Sequence, residues 1–338
     1  MFYIDNTSLD PHYNLALEEY VLKNLDQKEG FILLWQNTPS VIIGRLQNTL
    51  KEVNLKYARK NSIPIVRRPS GGGAVYHDLG NLNFSVIVSE KQKTIDFRRF
   101  MQPIVTTLSQ MGIKAECNQR NDILIDGKKI SGNAQYHFRN KTLHHGTILF
   151  DSCLDSLQKV LEPEPLKIQS KSLESVRSQV TNVADYLDQK PSIMEFKEQL
   201  LYNLLPGGLI QEYKLSKQDQ TKIEQLKTDK YLTWEWNYGH SPPFILTLDK
   251  RLSKGVIEVT LAVNKGVIQE CNIFCDFCDN EMINNLAQSL QGLKYREKDL
   301  IEPLNQAVFF EHFKIISKNE FLEFLMQSSP TSPGASRA

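Results

Sequence analysis

The chain has 338 residues, 41% hydrophobic and 23% charged, with a formal net charge of +1 at pH 7. That length accommodates two domains and a substantial core, and a near-neutral charge argues against a protein that binds nucleic acid by bulk electrostatics. No apolar run approaches a membrane span, Met1-Phe2-Tyr3-Ile4-Asp5 lacks the regions of a signal peptide, and five cysteines with no export signal suggest a cytoplasmic protein with reduced thiols.

In chain order, Asp10-Pro11 reads as an N-cap and first helical residue, with Leu17, Val21 and Leu25 at helical spacing behind it. Phe31–Trp35 and Val41–Gly44 are short apolar runs around Asn37-Thr38-Pro39-Ser40, a hairpin signal. A polar helix is expected from Leu50 to Lys60. Then comes a strand at Ile63–Val66, a glycine turn, and an alternating run, Leu82, Phe84, Val86 and Val88, of a half-buried strand. Phe97 to Met111 reads as a helix bent or started by Pro103. Asp126-Gly127 marks a hairpin between Ile123-Leu124-Ile125 and Lys128–Gly132, and Leu143 to Phe150 forms the next strand.

Helices are expected to dominate from Leu154 to Lys230. Ser192 with Glu195 forms a capping box there, and Pro206-Gly207-Gly208 ends that helix. Trp234 to Pro243 leads to a domain boundary. Beyond it Asn264-Lys265-Gly266 turns one strand into another, and Gly292 ends a helix. The tail from Ser328 has no core-forming residues and reads as disordered. The division expected is 1–243, 244–327 and a tail, 328–338.

The glycine turn, Arg67-Arg68-Pro69-Ser70-Gly71-Gly72-Gly73-Ala74-Val75-Tyr76-His77-Asp78, is the stretch most suited to binding. Three glycines permit positive φ and close backbone approach, their N–H groups can form an anion-binding concavity, and two arginines bring donors suited to phosphate or carboxylate. Glycine turns between strands often serve only as bends, and neither familiar nucleotide loop is present. Lys129 is the sharpest single candidate for chemistry. Alternation puts it on the face of Ser131 and Lys128 on the face of Ile130. Adjacent His144 and His145 must face opposite ways. Cys275-x-x-Cys278 lacks a second pair or a nearby histidine to complete a metal site, which favours buried structural thiols.

Together these residues resemble the lipoate–protein ligases. The resemblance is carried by Arg67-Arg68-x-Ser70-Gly71-Gly72-Gly73-Ala74-Val75-Tyr76-His77-Asp78-x-Gly80-Asn81, Arg120-Asn121-Asp122, Lys129-x-Ser131-Gly132-Asn133-Ala134, His145-Gly146-Thr147, Ser175-Val176-Arg177-Ser178 and Trp236-Asn237-Tyr238-Gly239-x-Ser241-Pro242. It runs to about residue 327. It implies an α+β fold: a mixed-sheet catalytic domain of the biotin/lipoyl ligase type followed by a small α+β accessory domain.

By position, Arg68, Gly73, Ala74, Val75, Tyr76 and Asp122 would serve ATP and the adenylate. Ser70, Gly71, Gly72 and His145 would serve lipoate, and Lys129 would touch both. The segment from Ser175 to Asn182 resembles a loop that orders over the adenylate. The resemblance further implies Mg²⁺ carried with ATP rather than by a protein motif. The expected acceptors are lipoyl domains: E2 subunits of 2-oxoacid dehydrogenases or the glycine cleavage H protein. Nucleic acid and membrane are not expected partners.

Ser172 and Gln179 stand where related sequences usually carry Gly and Arg, and Cys275-Asp276-Phe277-Cys278 replaces Gly-Asp-Phe-Phe; these departures bear on rate and preference more than on reaction class. Val75, Phe84 and Ile148 are strand residues that an acyl chain could pack against. Two other readings stay open. One is a lipoyl or octanoyl transferase fed by a carrier thioester through a cysteine, Cys117 or Cys153. The other is a lipoate-binding relative without turnover.

Overall fold

A computed structural model describes residues 1–89, 96–205, 210–312 and 315–326. The expected helix end at Pro206-Gly207-Gly208 and the tail from Ser328 lie outside the described residues. The first strands are β1 (Phe2–Ile4), β2 (Phe31–Trp35), β3 (Ser40–Ile43), β4 (Ile65–Arg67), β5 (Val75–His77), β6 (Asn81–Ser89), β7 (Glu116–Cys117) and β8 (Asp122–Ile125). They continue as β9 (Lys128–Phe138), β10 (Lys141–Leu149), β11 (Lys167–Ser170), β12 (Gln211–Glu212), β13 (Phe244–Leu252), β14 (Gly255–Asn264) and β15 (Val267–Cys275). The chain forms two compact units.

The first unit comprises residues 1–45, 65–158 and 175–232. It is built on an eight-stranded mixed sheet, β12-β1-β2-β6-β10-β9-β8-β7, and a three-stranded sheet, β4-β3-β5. The mixture of parallel and antiparallel pairs with helices is the expected α+β class. The hairpin expected between Phe31–Trp35 and Val41–Gly44 does not form. β2 pairs with β1 and β6, whereas β3 pairs with β4 and β5 in the other sheet. Tertiary pairing overrides a turn signal that was sound locally. The helix Pro11–Asn24 starts as read, with Asp10 accepting from the His12 N–H.

β6 lies between β2 and β10 and is buried on both faces from Asn81 to Val88, not half-buried as its alternation suggests. Alternation there sorts two chemistries, not inside from outside. Leu82, Phe84, Val86 and Val88 join Ile104, Leu108, Ile148 and Phe196 in the hydrophobic core. That places Phe84 and Ile148 in the hydrophobic core. The other face carries Asn81, Asn83 and Ser85, all buried.

Registers extend this division. His144 pairs with Val86 and Gln135, and stacks on Phe100 at 4.7 Å on the core side; His145 pairs with Ser85 and Ala134 on the polar side. Burial pushes His144 down to about 3, and burial with Arg68 and His145 nearby does the same to His77. Both stay neutral in the folded chain while the unfolded imidazoles titrate near pH 6.5. Their stabilisation is therefore complete above about pH 6.5 and drains away as pH falls towards 3. With two such groups the slope approaches about 2.7 kcal/mol per pH unit. Urea unfolding followed from about pH 7 to about pH 5 should show that loss, and His144→Leu should roughly halve the slope.

The second unit comprises residues 46–64, 159–174 and 233–338, and holds the four-stranded sheet β11-β13-β14-β15. The helix expected from Leu50 to Lys60 is two short ones, Thr49–Glu52 and Leu55–Lys60, because Asn54 caps the second. The strand β11 interrupts the stretch expected to be helical. The turn at Lys265-Gly266 takes positive φ at both residues, as the sequence suggests. Cys275 and Cys278 are joined in a disulfide with Cα atoms 5.4 Å apart, which corrects the reading of both as free thiols; Cys117, Cys153 and Cys271 are free.

Candidate active site

The glycine turn runs from β4 to β5, which flank β3 on its two sides. Arg67 donates to the carbonyls of Gly44 and Arg45. Arg68 is buried behind the turn: Nη1 donates to Ile42 O at 3.0 Å, Nη2 to Gly71 O and Gly73 O at 2.7 Å each, and Nε to Ser70 Oγ at 3.1 Å. Drawing the Gly71 and Gly73 carbonyls inward turns the N–H groups of Gly72 and Ala74 outward, since a trans peptide sets its C=O and N–H on opposite sides. Ala74 N–H donates to Ser175 Oγ at 2.9 Å. Gly72 has φ +87°, which favours glycine, and a Cβ there would crowd the Arg68 guanidinium at 3.0 Å.

Ser70 is tied into the polar face of the sheet. Its hydroxyl lies 2.7 Å from His145 Nε2, and His145 Nδ1 lies 2.8 Å from Glu18 Oε1. Ser85 donates to the same Glu18 oxygen at 2.6 Å and Trp35 Nε1 donates to Ser85 at 3.0 Å. With Glu18 accepting, His145 donates from Nδ1, and its Nε2 faces the Ser70 hydroxyl. Both ring nitrogens of His145 are thus engaged by protein. Glu18 was not singled out from sequence. Its signal was two adjacent acids, Glu18-Glu19, inside an apolar helix.

Lys129 reaches this face through a bulge. Ser131 pairs with Ile123 but Lys129 pairs with Leu124, so Lys129 and Ile130 together oppose one residue. A β-bulge re-aims the side chain beside it. Lys129 consequently does not share the face of Ser131, as simple alternation requires. Its ammonium lies over Gly132, where a Cβ would meet Nζ at 2.9 Å. Nζ is 2.7 Å from Asp122 Oδ1, and Asn118 donates to the other Asp122 oxygen at 3.2 Å. Two residues on, a Cβ at Gly72 would lie 4.0 Å from Ala134 Cβ. Gly132 and Ala134 sit on one face of β9 about 7 Å apart. The glycine turn and the Lys129 ammonium therefore converge over the same short stretch of strand.

The segment after Ser175 joins the two. Ser175 holds the turn at Ala74, while Lys129 N–H donates to Gln179 O at 2.8 Å and Thr181 N–H to Lys129 O at 3.1 Å. A cavity of about 520 Å³ opens here, lined in part by Asn118, Arg120, Asp122, Lys129, Ser178 and Gln179. Val75 and Tyr76 lie in β5 at the end of the turn. Gly132→Ala should disturb only the end of a flexible side chain and spare stability, yet displace the ammonium. A misplacement of that size is expected to lower turnover by about 10- to 100-fold, measured against an unchanged thermal unfolding midpoint.

Residues 10–205 match the family model of the lipoyl protein ligase A/B catalytic domain, and residues 241–325 that of the bacterial lipoate protein ligase C-terminus. Lipoate-protein ligase LplJ of Bacillus subtilis is 43% identical over 331 residues, 96% of this chain and 100% of that protein. Lipoate-protein ligase A bound with ATP superposes with a TM-score of 0.62 at 30% identity, over 71% of this chain and 98% of that one. A bipartite lipoate protein ligase of Thermoplasma acidophilum, described together with its E2 lipoyl domain, gives a TM-score of 0.61 at 29% identity, over 71% and 96%. Two domain families in succession, and one relative matched end to end, place the chain: it belongs to the lipoate–protein ligase family.

Proposed function

We propose that the chain activates lipoate with ATP to lipoyl-AMP, releasing pyrophosphate, and then passes the lipoyl group to a lysine of a lipoyl domain. The observation that carries this reading is the convergence of the glycine turn and the Lys129 ammonium over Gly132 and Ala134. In the first step the lipoate carboxylate attacks the α-phosphorus, and negative charge grows on its non-bridging oxygens. The Lys129 ammonium and the outward N–H groups of the turn meet that charge once Asp122 and Ser175 give way to the ligand. Arg68 acts as a positioning residue that sets those N–H groups. Ser70 and His145 fix the turn to the sheet.

The adenylate is a mixed anhydride vulnerable to water, and the segment pinned to Ala74 and Lys129 covers it. In the second step the acceptor amine attacks the acyl carbon, Lys129 stabilises the oxyanion, and AMP leaves. The acceptors proposed are the lipoyl domains of 2-oxoacid dehydrogenase E2 subunits and the glycine cleavage H protein. Mg²⁺ would arrive on the ATP phosphates, with Asp122 the carboxylate at hand; bound there, it neutralises phosphate charge. Residues 1–243 are proposed to carry this chemistry and 244–327 to act as the accessory domain.

The thioester-transferase reading needs a cysteine beside the acyl carbon. Neither Cys117 nor Cys153 lines the cavity at Lys129, and burial raises the Cys117 thiol above its ordinary value. Incubation with ATP, Mg²⁺ and lipoate should release pyrophosphate in the absence of any carrier protein. Transfer from a carrier thioester with no pyrophosphate released would establish the other mechanism, and lipoate binding without either would establish the non-catalytic one.

A further inference from the structure

Cys275 ends β15, and Cys278 precedes Asp279, the N-cap of the helix Asn280–Leu290. The turn between them is anchored independently of sulfur. Asp276 Oδ1 accepts from Val256 N–H at 2.9 Å, and a Cβ at Gly255 would collide with Asp276 and Phe277, so the bare glycine seats the turn. Both sulfurs are thereby held within reach whether or not they are bonded.

A purely structural role is weakly motivated. Stabilisation by a disulfide grows with the loop it closes, and this one spans a separation of three residues. Cys271 on the same strand behaves differently: it is buried and its thiol is pushed up to about 12, as expected of an inert core cysteine. Cys278 is half-buried, and exposed Phe274 and half-buried Phe277 put apolar carbon beside the pair.

We propose that Cys275 and Cys278 form a redox-active pair that exchanges two electrons with small dithiols, the dihydrolipoyl group among them. One thiolate of the dithiol attacks Cys278 Sγ, the Cys275–Cys278 bond breaks, and Cys275 leaves as thiolate. The second thiol of the same molecule attacks the mixed disulfide, closes its own ring and releases Cys278. The dithiol loses two electrons and two protons and becomes a cyclic disulfide, a dithiolane in the case of the dihydrolipoyl group; the pair gains both and becomes two thiols. No further reactant is required. A dithiol is the fitting class because its second sulfur completes the exchange intramolecularly, which a monothiol cannot do. The choice of the dihydrolipoyl group rests on the function proposed above; the exchange with dithiols does not.

The test uses the full-length oxidised protein without ATP. Dihydrolipoate, dithiothreitol or glutathione is added at equal thiol concentration, the reaction is acid-quenched and alkylated, and the sites are mapped by mass spectrometry. Both dithiols are expected to open Cys275 and Cys278 to alkylation at least tenfold faster than glutathione. Excess lipoate should restore the bond, with Cys117, Cys153 and Cys271 unchanged throughout. The pair would be inert, and the proposal wrong, if the bond yields to dithiols only after unfolding, or if the native thiols are never oxidised by lipoate. Reaction with dithiothreitol alone would keep the redox pair and remove the dihydrolipoyl assignment. Cys278→Ser should lose the exchange yet retain lipoate-dependent pyrophosphate release, and failure of that release in the parent protein would strike the ligase reading alone.

Discussion

Lys129→Ala is expected to lower adenylate formation by roughly a hundredfold or more, the usual cost of removing one preorganised donor from developing negative charge. Lipoyl transfer from preformed lipoyl-AMP should fall as well, because the same ammonium is proposed to serve both oxyanions. The fold should survive. The Lys129 side chain is 26% exposed and leaves no core cavity, Asp122 keeps its bond from Asn118, and the main-chain bonds of residue 129 to Gln179 and Thr181 do not depend on the side chain. Lys129→Arg should rescue poorly: Gly132 accommodates a slender ammonium stem, and a guanidinium is a planar fork. Pyrophosphate release and single-turnover transfer, each beside circular dichroism, separate lost chemistry from lost structure.

Glu19→Ala should have the opposite profile, a large loss of stability with chemistry preserved in the molecules that remain folded. Glu18 and Glu19 are neighbours on one helix, so their side chains diverge by about 100°. Glu18 turns to His145, while Glu19 gathers Lys23 at 2.5 Å, Lys230 at 2.6 Å and the Tyr231 hydroxyl. A π-helical turn, Lys227–Tyr231, presents two consecutive side chains to that one carboxylate. Burial works against the Glu19 charge, but Lys230 and Lys23 outweigh it and hold its pKa below the usual carboxylate range. Breaking a buried pair by removing one partner costs about 3 kcal/mol or more. Denaturant unfolding should register that loss for Glu19→Ala and a smaller one for Glu19→Gln, which keeps an acceptor.

Much of the site was legible because its determinants are local. Three glycines between two strands require a turn whatever surrounds them. Asp126-Gly127 requires a hairpin, and Asp126 and Gly127 do take positive φ. The parts that were not legible depend on partners distant in sequence. The bulge at Ile130 is marked by neither glycine nor proline; only the pairing with β8 reveals it, and it decides which face Lys129 occupies. Arg68 read as a phosphate ligand from its position beside the turn, yet it stands behind the turn because the Gly71 and Gly73 carbonyls converge on it. Glu18 acquires its role only from β10, which brings His145 against it. In the fold, the failed hairpin has the same cause: Asn37-Thr38-Pro39-Ser40 satisfies every short-range rule, while the partners of β2 and β3 come from far along the chain.

Lys129 and the glycine turn are proposed to enclose the junction of acyl group and nucleotide. A crystal structure with a non-hydrolysable acyl-sulfamoyl adenosine measures this arrangement directly. The Lys129 ammonium is expected within about 3.2 Å of both the acyl oxygen and a sulfamoyl oxygen, with the Gly72 N–H aimed at the ligand. An ammonium still paired only with Asp122, and a ligand seated away from Gly132 and Ala134, would contradict it.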